Sequence, residues 1–468
     1  MIIGLVLTVG FILRLISLDQ SLWLDEAVTA KVVSAYNFFD IPKLFSPADF
    51  HPPLYYFLMK LWTNIFGYSE ISLRMPSIIF SILTGYVVYL IGKRLKNRQI
   101  GVWAAVFFLF NPLIVYYSQE ARMYMMTVFF LTMALYFFLR IINIVELNSN
   151  RMSKVKSQKS KIPACRQARQ FKRQKFLDTL MFIIFIILGF YTFYGTVFLI
   201  AAMLVYLIFK RRYRELLVIG CWLLVAGLII SPLLYHQMVN SKQALETVSN
   251  WSLVLGKANL KNLLLIPLKF SFGRISFYPK EIYYLVSGLW SLFIFAVLLK
   301  AGLKNKLLLF LFVFPLILGL IFSFSSPLLQ YFRFLFLLPI MSILLTLETK
   351  DWQRWVIVFG FLILSLIYLF CPFFHREDWK SLARSIPKDK PVYIILPSSD
   401  ALSYYKKDLN FNDLREIGNK SITSKKIIVI PYTSDIYGLD YQKILREGGF
   451  KLNRISFAYF LQMEEWVR

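Results

Sequence analysis

Residues 75–92 read MPSIIFSILTGYVVYLIG, without a single charge; KRLKNR follows at 93–98, and IGVWAAVFFLFNPLIVYY at 100–117. A helix needs about 20 mostly apolar residues to cross a bilayer. Two such runs on either side of a short Lys/Arg cluster read as two membrane helices joined by a turn that faces the cytoplasm. Working outward, similar runs lie at 2–18, 123–144, 178–194, 196–209, 215–235, 282–300, 306–323, 333–347 and 354–372. The fold class expected is therefore an α-helical polytopic membrane protein with about eleven spans. Between 178 and 209 the only turn signal is Tyr194-Gly195.

Composition agrees. Of 468 residues 58% are hydrophobic and 17% charged, and the mean hydropathy is +0.59. Soluble proteins run about 45–50% apolar and about 25% charged, so a soluble enzyme or a disordered chain does not fit. The net charge of +27 comes from 53 Lys+Arg against 26 Asp+Glu. In a soluble chain that excess would point to nucleic acid, but here the cations cluster between apolar runs, so no nucleic-acid partner is expected. Three scattered cysteines offer neither a disulfide framework nor a CxxC metal site. The first apolar run lacks the basic start and small-residue site of a cleavable signal peptide.

The basic clusters at 93–98, 145–177, 210–212 and 300–306 fall on one face if the N-terminus is cytoplasmic. The loops 19–74 and 236–281, the turns 118–122 and 324–332, and the tail 373–468 then lie outside. The segment 145–177 reads as a flexible basic loop on anionic lipid headgroups. The tail turns ordinary in composition. Two apolar runs, 391–396 and 425–430, each precede a Ser/Asp loop and a plausible helix, as in a small α/β domain. The expected division is a transmembrane domain over 1–372 and an extracytoplasmic α/β domain over 373–468.

The first outer loop opens with Trp23-Leu24-Asp25-Glu26 at the membrane–water boundary. Either carboxylate could start a helix over 26–39 as its N-cap. Either could equally act as a general base on a hydroxyl at the membrane surface; spacing alone leaves both readings standing. Further along come His51-Pro52-Pro53-Leu54-Tyr55-Tyr56 and Leu73-Arg74-Met75-Pro76. Pro-Pro stiffens the backbone next to His51, whose simpler role is an interfacial hydrogen bond. Arg74 lies on the side that positive-inside statistics disfavour, which makes it a candidate anion ligand.

The turn Ser118-Gln119-Glu120-Ala121-Arg122-Met123-Tyr124 squeezes two charges against the membrane. Such charges are costly unless paired or functional, and residues two apart on a helix do not face each other. Arg333 sits at the outer end of a later span and Arg14 about one turn inside the first. Each could snorkel or grip a phosphate with its planar fork.

Taken together, Leu22-Trp23-Leu24-Asp25-Glu26-Ala27, His51-Pro52-Pro53-Leu54-Tyr55-Tyr56, Gly67 with Glu70, Leu73-Arg74-Met75-Pro76-Ser77 and Tyr117-Ser118-Gln119-Glu120-Ala121-Arg122-Met123-Tyr124 resemble the polyprenol-phosphate-sugar-dependent glycosyltransferases of the GT-C fold. The resemblance is to glycosyltransferase family 39, the dolichyl-phosphate-mannose-protein mannosyltransferase-like group and its bacterial lipopolysaccharide-core sugar transferase branch. It covers residues 14–124 well and later only Arg333 and Arg376-Glu377-Asp378-Trp379-Lys380. It implies an inverting transfer from a polyprenyl-phosphate sugar to an acceptor hydroxyl on the outer face of the plasma membrane, the acceptor being a glycan, lipid or protein. Asp25 is then the expected base, with Glu26 its neighbour and Glu120 the second acid. Arg14, Arg74, Arg122 and Arg333 hold the lipid phosphate, and His51, Tyr55 and Tyr124 complete the expected substrate-binding set. Some relatives hold a metal ion at the position matching His51, so a divalent metal is a possible cofactor that the sequence leaves open.

Two other classes compete. A lipid-linked glycan ligase or polymerase would place its Arg and His in a large late outer loop, and 236–281 offers only His236 and Arg274. A polytopic transporter or flippase would carry ionisable groups at the bilayer midplane, where this chain is nearly free of charge. Neither a Gly-rich phosphate loop, nor HExxH, nor a dinucleotide fingerprint occurs.

Overall fold

The computed structural model describes residues 1–155, 164–387, 389–418 and 422–468. Among them six helices are long and apolar enough to cross a membrane, and the bent pair Arg98–Leu109 and Pro112–Ser118 supplies a seventh. Four shorter apolar helices, Ile2–Leu15, Tyr194–Phe209, Lys306–Phe322 and Tyr331–Leu347, fall on the remaining expected runs. The turn at Tyr194-Gly195 is a short 3₁₀ stretch, Tyr194–Thr196. One expectation changes: helices Tyr124–Val155 and Ala164–Thr192 run into the basic segment read as a loop. Arg, Lys and Gln lose little rotamer freedom in a helix, so a polar basic sequence can continue one. The stretch between these two helices lies outside the described residues.

The N-terminal helices frame the site: α1 (Ile2–Leu15), α2 (Leu24–Ala35), α3 (Leu54–Phe66), α4 (Glu70–Leu95), α5 (Arg98–Leu109) and α6 (Pro112–Ser118). Helices α4 and α5 approach most closely at glycines. A Cβ on Gly101 would stand 2.5 Å from the Tyr89 carbonyl oxygen, and one on Gly92 would stand 2.9 Å from the Gly101 Cα, the small-residue contact that apolar helix pairs use. Pro76 inside α4 has no N–H for the Ser72 carbonyl, and the Trp62 Nε1–H of α3 donates there instead at 2.9 Å.

Between α5 and α6 the axis bends by 62°. Pro112 and Asn111 cause it together. Pro112 offers no N–H and holds Asn111 extended. Asn111 Oδ1 accepts from the backbone N–H groups of Leu113 (2.9 Å) and Ile114 (3.2 Å), which would otherwise continue the helix. The carbonyls thus freed must be satisfied, since an orphaned backbone group in an apolar environment costs several kcal/mol. Arg14 Nη2 donates to Leu109 O at 3.0 Å and Ser365 Oγ to Phe110 O at 3.0 Å.

The tail forms a five-stranded sheet with β1 (Val392–Ile394), β2 (Phe411–Asp413), β3 (Lys426–Ile430), β4 (Lys451–Ala458) and β5 (Leu461–Val467) in the order β2-β1-β3-β5-β4. Strands β1 and β3 are the two expected runs and pair in parallel; the β4–β5 hairpin adds antiparallel to β3. Both faces are covered, which is why β3 reads as an unbroken apolar run. Ile427 and Val429 pack with Trp466 and Leu445 on one side, Ile428 and Ile430 with Trp379 and Leu382 on the other. Ala27 of α2 belongs to that second cluster. Polar ties reinforce the docking: Lys31 to Asp400 at 2.7 Å, Lys380 to Glu70 at 3.1 Å, and the Leu22 N–H to Tyr405 Oη at 2.8 Å. The tail thus packs directly on the helix that carries Asp25.

Candidate active site

Three segments meet at the turn 119–122. Gln119 Nε2 donates to the carbonyls of Arg14 (3.0 Å) and Ile16 (2.7 Å), and Ser77 Oγ of α4 donates to Glu120 O at 2.6 Å. Thr29 of α2 donates to Ala121 O at 3.1 Å, and the Ala121 N–H donates to Glu26 Oε1 at 2.7 Å. The turn cannot move without dragging α2 and α4 with it.

Helix α2 begins at Leu24, with Trp23 as its cap, and ends at Ala35, where Tyr36 becomes extended. This corrects the expected 26–39 start. Glu26, not Asp25, makes the terminal contact, because its Oε2 accepts from the Trp23 N–H at 3.4 Å. Asp25 is the second helical residue, and its side chain is 38% exposed. Its nearest cation is Arg122, with Nη2 at 3.8 Å from Oδ2; Arg122 Nη1 donates to the Asp25 carbonyl at 3.3 Å. The Arg122 Nε is buried with no hydrogen-bond partner.

Arg74 is spent inside the protein. Its five N–H groups reach Glu26 Oε1 (2.8 Å), Glu26 Oε2 (2.6 Å) and the carbonyls of Leu18 (2.8 Å), Gln20 (2.7 Å) and Ser21 (3.0 Å). A guanidinium has only five donors, so none remains for a phosphate. Arg14 is fully buried and bound to Gly10 O, Ser81 Oγ and Leu109 O at the helix bend. Both arginines of the expected phosphate set are thus engaged by protein groups in this structure.

Glu120 and Arg122 point to different partners, as their spacing requires. Glu120 Oε1 accepts from Arg376 Nη2 (3.0 Å) and Nε (3.3 Å), while Oε2 is buried without a partner. Burial pushes the Glu120 carboxyl above the usual carboxylate range, although Arg376 pulls the other way. The Arg376 guanidinium lies 3.7 Å over the Trp23 ring and 5.6 Å from that of Tyr116. Arg274 lies 4.6 Å over the Tyr116 ring and donates through Nη1 to its hydroxyl. Two arginines thus share one tyrosine and one carboxylate, which leaves donors and positive charge to spare.

Neither Arg274 nor Arg376 stands in the expected phosphate set. The signal that singles out Arg74, a cation on the outer side beside an apolar run, applies equally to Arg376.

The remaining expected residues gather on an aromatic chain. Tyr124 packs on Tyr117 (5.0 Å), Phe332 (5.7 Å) and Phe193 (6.5 Å). Phe193 stacks on His51 at 6.1 Å. Arg333, next to Phe332, donates to Pro327 O at 3.1 Å. Tyr55 is buried against Tyr56, its hydroxyl without a partner.

His51 Nδ1 meets Asp49 Oδ1 at 3.2 Å, and Tyr56 donates to Asp49 Oδ2 at 2.9 Å. Burial would raise the Asp49 carboxyl, but His51, Arg122 and the Phe50 N–H outweigh it and bring it below the usual range. Among the described residues no three His, Cys, Asp or Glu side chains converge as metal ligands. His51 and Asp49 would therefore be two members of an incomplete set.

The molecule is similar to ArnT from Cupriavidus metallidurans in the apo state, with a TM-score of 0.60 at 12% identity, over 99% of this chain and 97% of that one. The same protein bound to undecaprenyl phosphate matches at 0.56 over the same shares, also at 12% identity. The fold is GT-C. The GT-C oligosaccharyltransferase AglB from Archaeoglobus fulgidus, in complex with an inhibitory peptide and a dolichol-phosphate, matches at 0.52 and 12% identity, over 92% of this chain and 70% of that one. Within this GT-C chain a family model described as dolichyl-phosphate-mannose-protein mannosyltransferase matches residues 50–149, the stretch that holds His51, Tyr55, Arg74, Glu120, Arg122 and Tyr124. No curated protein sequence matches the chain.

Proposed function

We propose that this chain is an integral-membrane glycosyltransferase that moves a sugar from a polyprenyl-phosphate donor to an acceptor hydroxyl, with inversion, at the outer face of the plasma membrane. The observation that carries the reading is the half-exposed Asp25 carboxylate, two residues after the Trp23 ring on which Arg376 lies and beside Arg122, whose Nε has no hydrogen-bond partner. A GT-C relative bound to undecaprenyl phosphate lends support. Asp25 takes the proton of the acceptor hydroxyl as its oxygen attacks the anomeric carbon. The bond between that carbon and the phosphate oxygen breaks, and the lipid phosphate leaves with the electron pair. Arg274 and Arg376, with Arg122 and Arg333 at the margins, stabilise the charge that grows on it. Glu120 holds Arg376 in place, and Glu26 with Arg74 holds the loop.

The membrane-spanning domain covers 1–372 in this reading, the tail 373–468 lies outside, and the N-terminus lies inside. Labelled sugar on polyprenyl phosphate, supplied to the purified protein in liposomes with envelope glycan, lipid and protein extracts as acceptors, tests it. Transfer to one extract, abolished by Asp25→Asn, is the expected result. Movement of the intact lipid between leaflets without transfer would sink the reading.

A further inference from the structure

A cleft of about 770 Å³ opens on the tail between the end of β3, the start of β5 and Asn250, a residue of the loop after the helix Tyr213–Thr247. Its walls are built rather than incidental. Glu464 is fully buried and accepts four hydrogen bonds, from Tyr441 Oη (2.9 Å), Gln442 Nε2 (3.4 Å), Gln462 Nε2 (2.6 Å) and Trp466 Nε1 (2.7 Å). Three of those donors line the cleft, so one carboxylate fixes their positions. Asn250 is held in turn by Asp435 O (2.8 Å) and Ile436 O (3.0 Å).

Two lining residues sit in the left-handed region that such side chains avoid: Thr433 at φ 69° and Phe460 at φ 58°. Thr433 caps the short helix Ser434–Tyr437 and Phe460 stands in the two-residue turn of the β4–β5 hairpin, so the turns themselves set both at the rim of the cleft. Phe460 is 67% exposed; the Tyr459 ring meets it edge-on at 4.6 Å, and the rest of its surface is an open apolar platform.

The lining decides the class of ligand. Among the described residues it has no Lys, Arg or His, but carries Asp435 and Asp440 with amides and hydroxyls. Phosphate, sulfate and carboxylate ligands would be repelled. A neutral sugar fits, its hydroxyls meeting the acid and amide groups and its C–H face meeting Phe460. The cleft also adjoins the transfer centre. Lining residue Tyr432 donates to Glu377 Oε1 at 3.2 Å, and Arg376, next in sequence, clamps Glu120.

We propose that this cleft binds a neutral saccharide unit of the acceptor, which makes the acceptor a glycan with at least one sugar beyond the one that reacts. The inference rests on the proposed transferase reading. Saturation-transfer-difference NMR on the full-length protein in nanodiscs, with neutral trisaccharides of glucose, mannose and N-acetylglucosamine and with a sialylated trisaccharide as probes, tests it. At least one neutral probe should bind, and the sialylated one should not. Phe460→Gly, which relieves the backbone, and Asp435→Ala, at an exposed position, should each weaken binding at least tenfold while the protein stays folded. Polyprenyl phosphate binding, measured in the same nanodiscs, should not change in either variant.

Three results would overturn the inference: no neutral probe binding, preference for the sialylated probe, or binding indifferent to both substitutions. Loss of polyprenyl phosphate binding by the unmodified protein would instead count against the transferase reading, and would leave the saccharide result to be judged on its own.

Discussion

Arg74 grips Glu26 along both edges of the fork, Nε to Oε1 at 2.8 Å and Nη2 to Oε2 at 2.6 Å, with the two side chains 2% and 1% exposed. The pair joins α4 to the start of α2, and Glu26 passes the link on to the Ala121 N–H. Removing one partner of a buried pair costs about 3–5 kcal/mol, because the other is left charged and unpaired. Arg74→Gln and Glu26→Gln should therefore lower the melting temperature and the yield of folded protein. Donor binding per folded molecule should survive in both. If either variant melts normally yet fails to bind polyprenyl phosphate, the pair belongs to the donor site after all.

Phosphate binding should separate the arginines. A charge-assisted hydrogen bond is worth about 1.5–3 kcal/mol, which is about 10–100-fold in Kd. Arg376→Ala and Arg274→Ala should each weaken polyprenyl phosphate binding by that order. Arg14→Gln should leave affinity within about twofold, since Arg14 serves the bend at Leu109, and should lower thermal stability instead. Binding isotherms on the three variants, with melting curves alongside, check the division.

Much of this is legible in the residues themselves. Among the described residues each of the eleven apolar runs falls on a helix or on the bent pair, and seven of them, counting that pair once, have the length and composition that crossing a bilayer demands. The turn at Glu120 and Arg122 announced itself because charge in so short a turn needs a reason. What the sequence hid was the pairing. Nothing in residues 14 and 109 says that one repairs the bend at the other, and the fork of Arg74 is used up by Leu18, Gln20, Ser21 and Glu26 only through folding. Arg274 lies more than a hundred residues from Arg376, and only the packing around Tyr116 unites them. The antiparallel hairpin β4–β5 also escaped, because its outer strand is largely exposed and lacks a sustained apolar run.

Acidity should act through Glu120 in a direction opposite to Asp49. The Glu120 carboxyl is raised by burial, so the folded protein binds the extra proton. The stability it contributes is full below the ordinary carboxylate pKa and is lost as pH rises through the raised value. Asp49 is lowered despite its burial, by His51 and Arg122, so its contribution is present above the ordinary pKa and lost as pH falls through the lowered one. Melting temperature against pH, from about 3 to 7, should show Glu120→Gln removing a fall with rising pH and Asp49→Asn removing a fall with falling pH. Slopes unchanged in both variants would dissociate these carboxylates from stability.

Asp25 carries the chemical step in the proposed reaction, and its geometry makes that separable from a folding role. Its carboxylate caps nothing, because Trp23 precedes the helix and Glu26 makes the terminal contact. Its closest cation, Arg122 at 3.8 Å, sits beyond strong hydrogen-bond range. Asp25→Asn should therefore fold, insert and bind polyprenyl phosphate as the unmodified protein does. Asparagine cannot take the acceptor proton, so single-turnover transfer should fall by about 10²–10⁴-fold. Glu26→Gln should retain more transfer per folded molecule, since its carboxylate faces Arg74 rather than solvent. Near-normal transfer by Asp25→Asn would remove it as the base. Glu120, with one buried oxygen left unpaired, would then be the carboxylate to test.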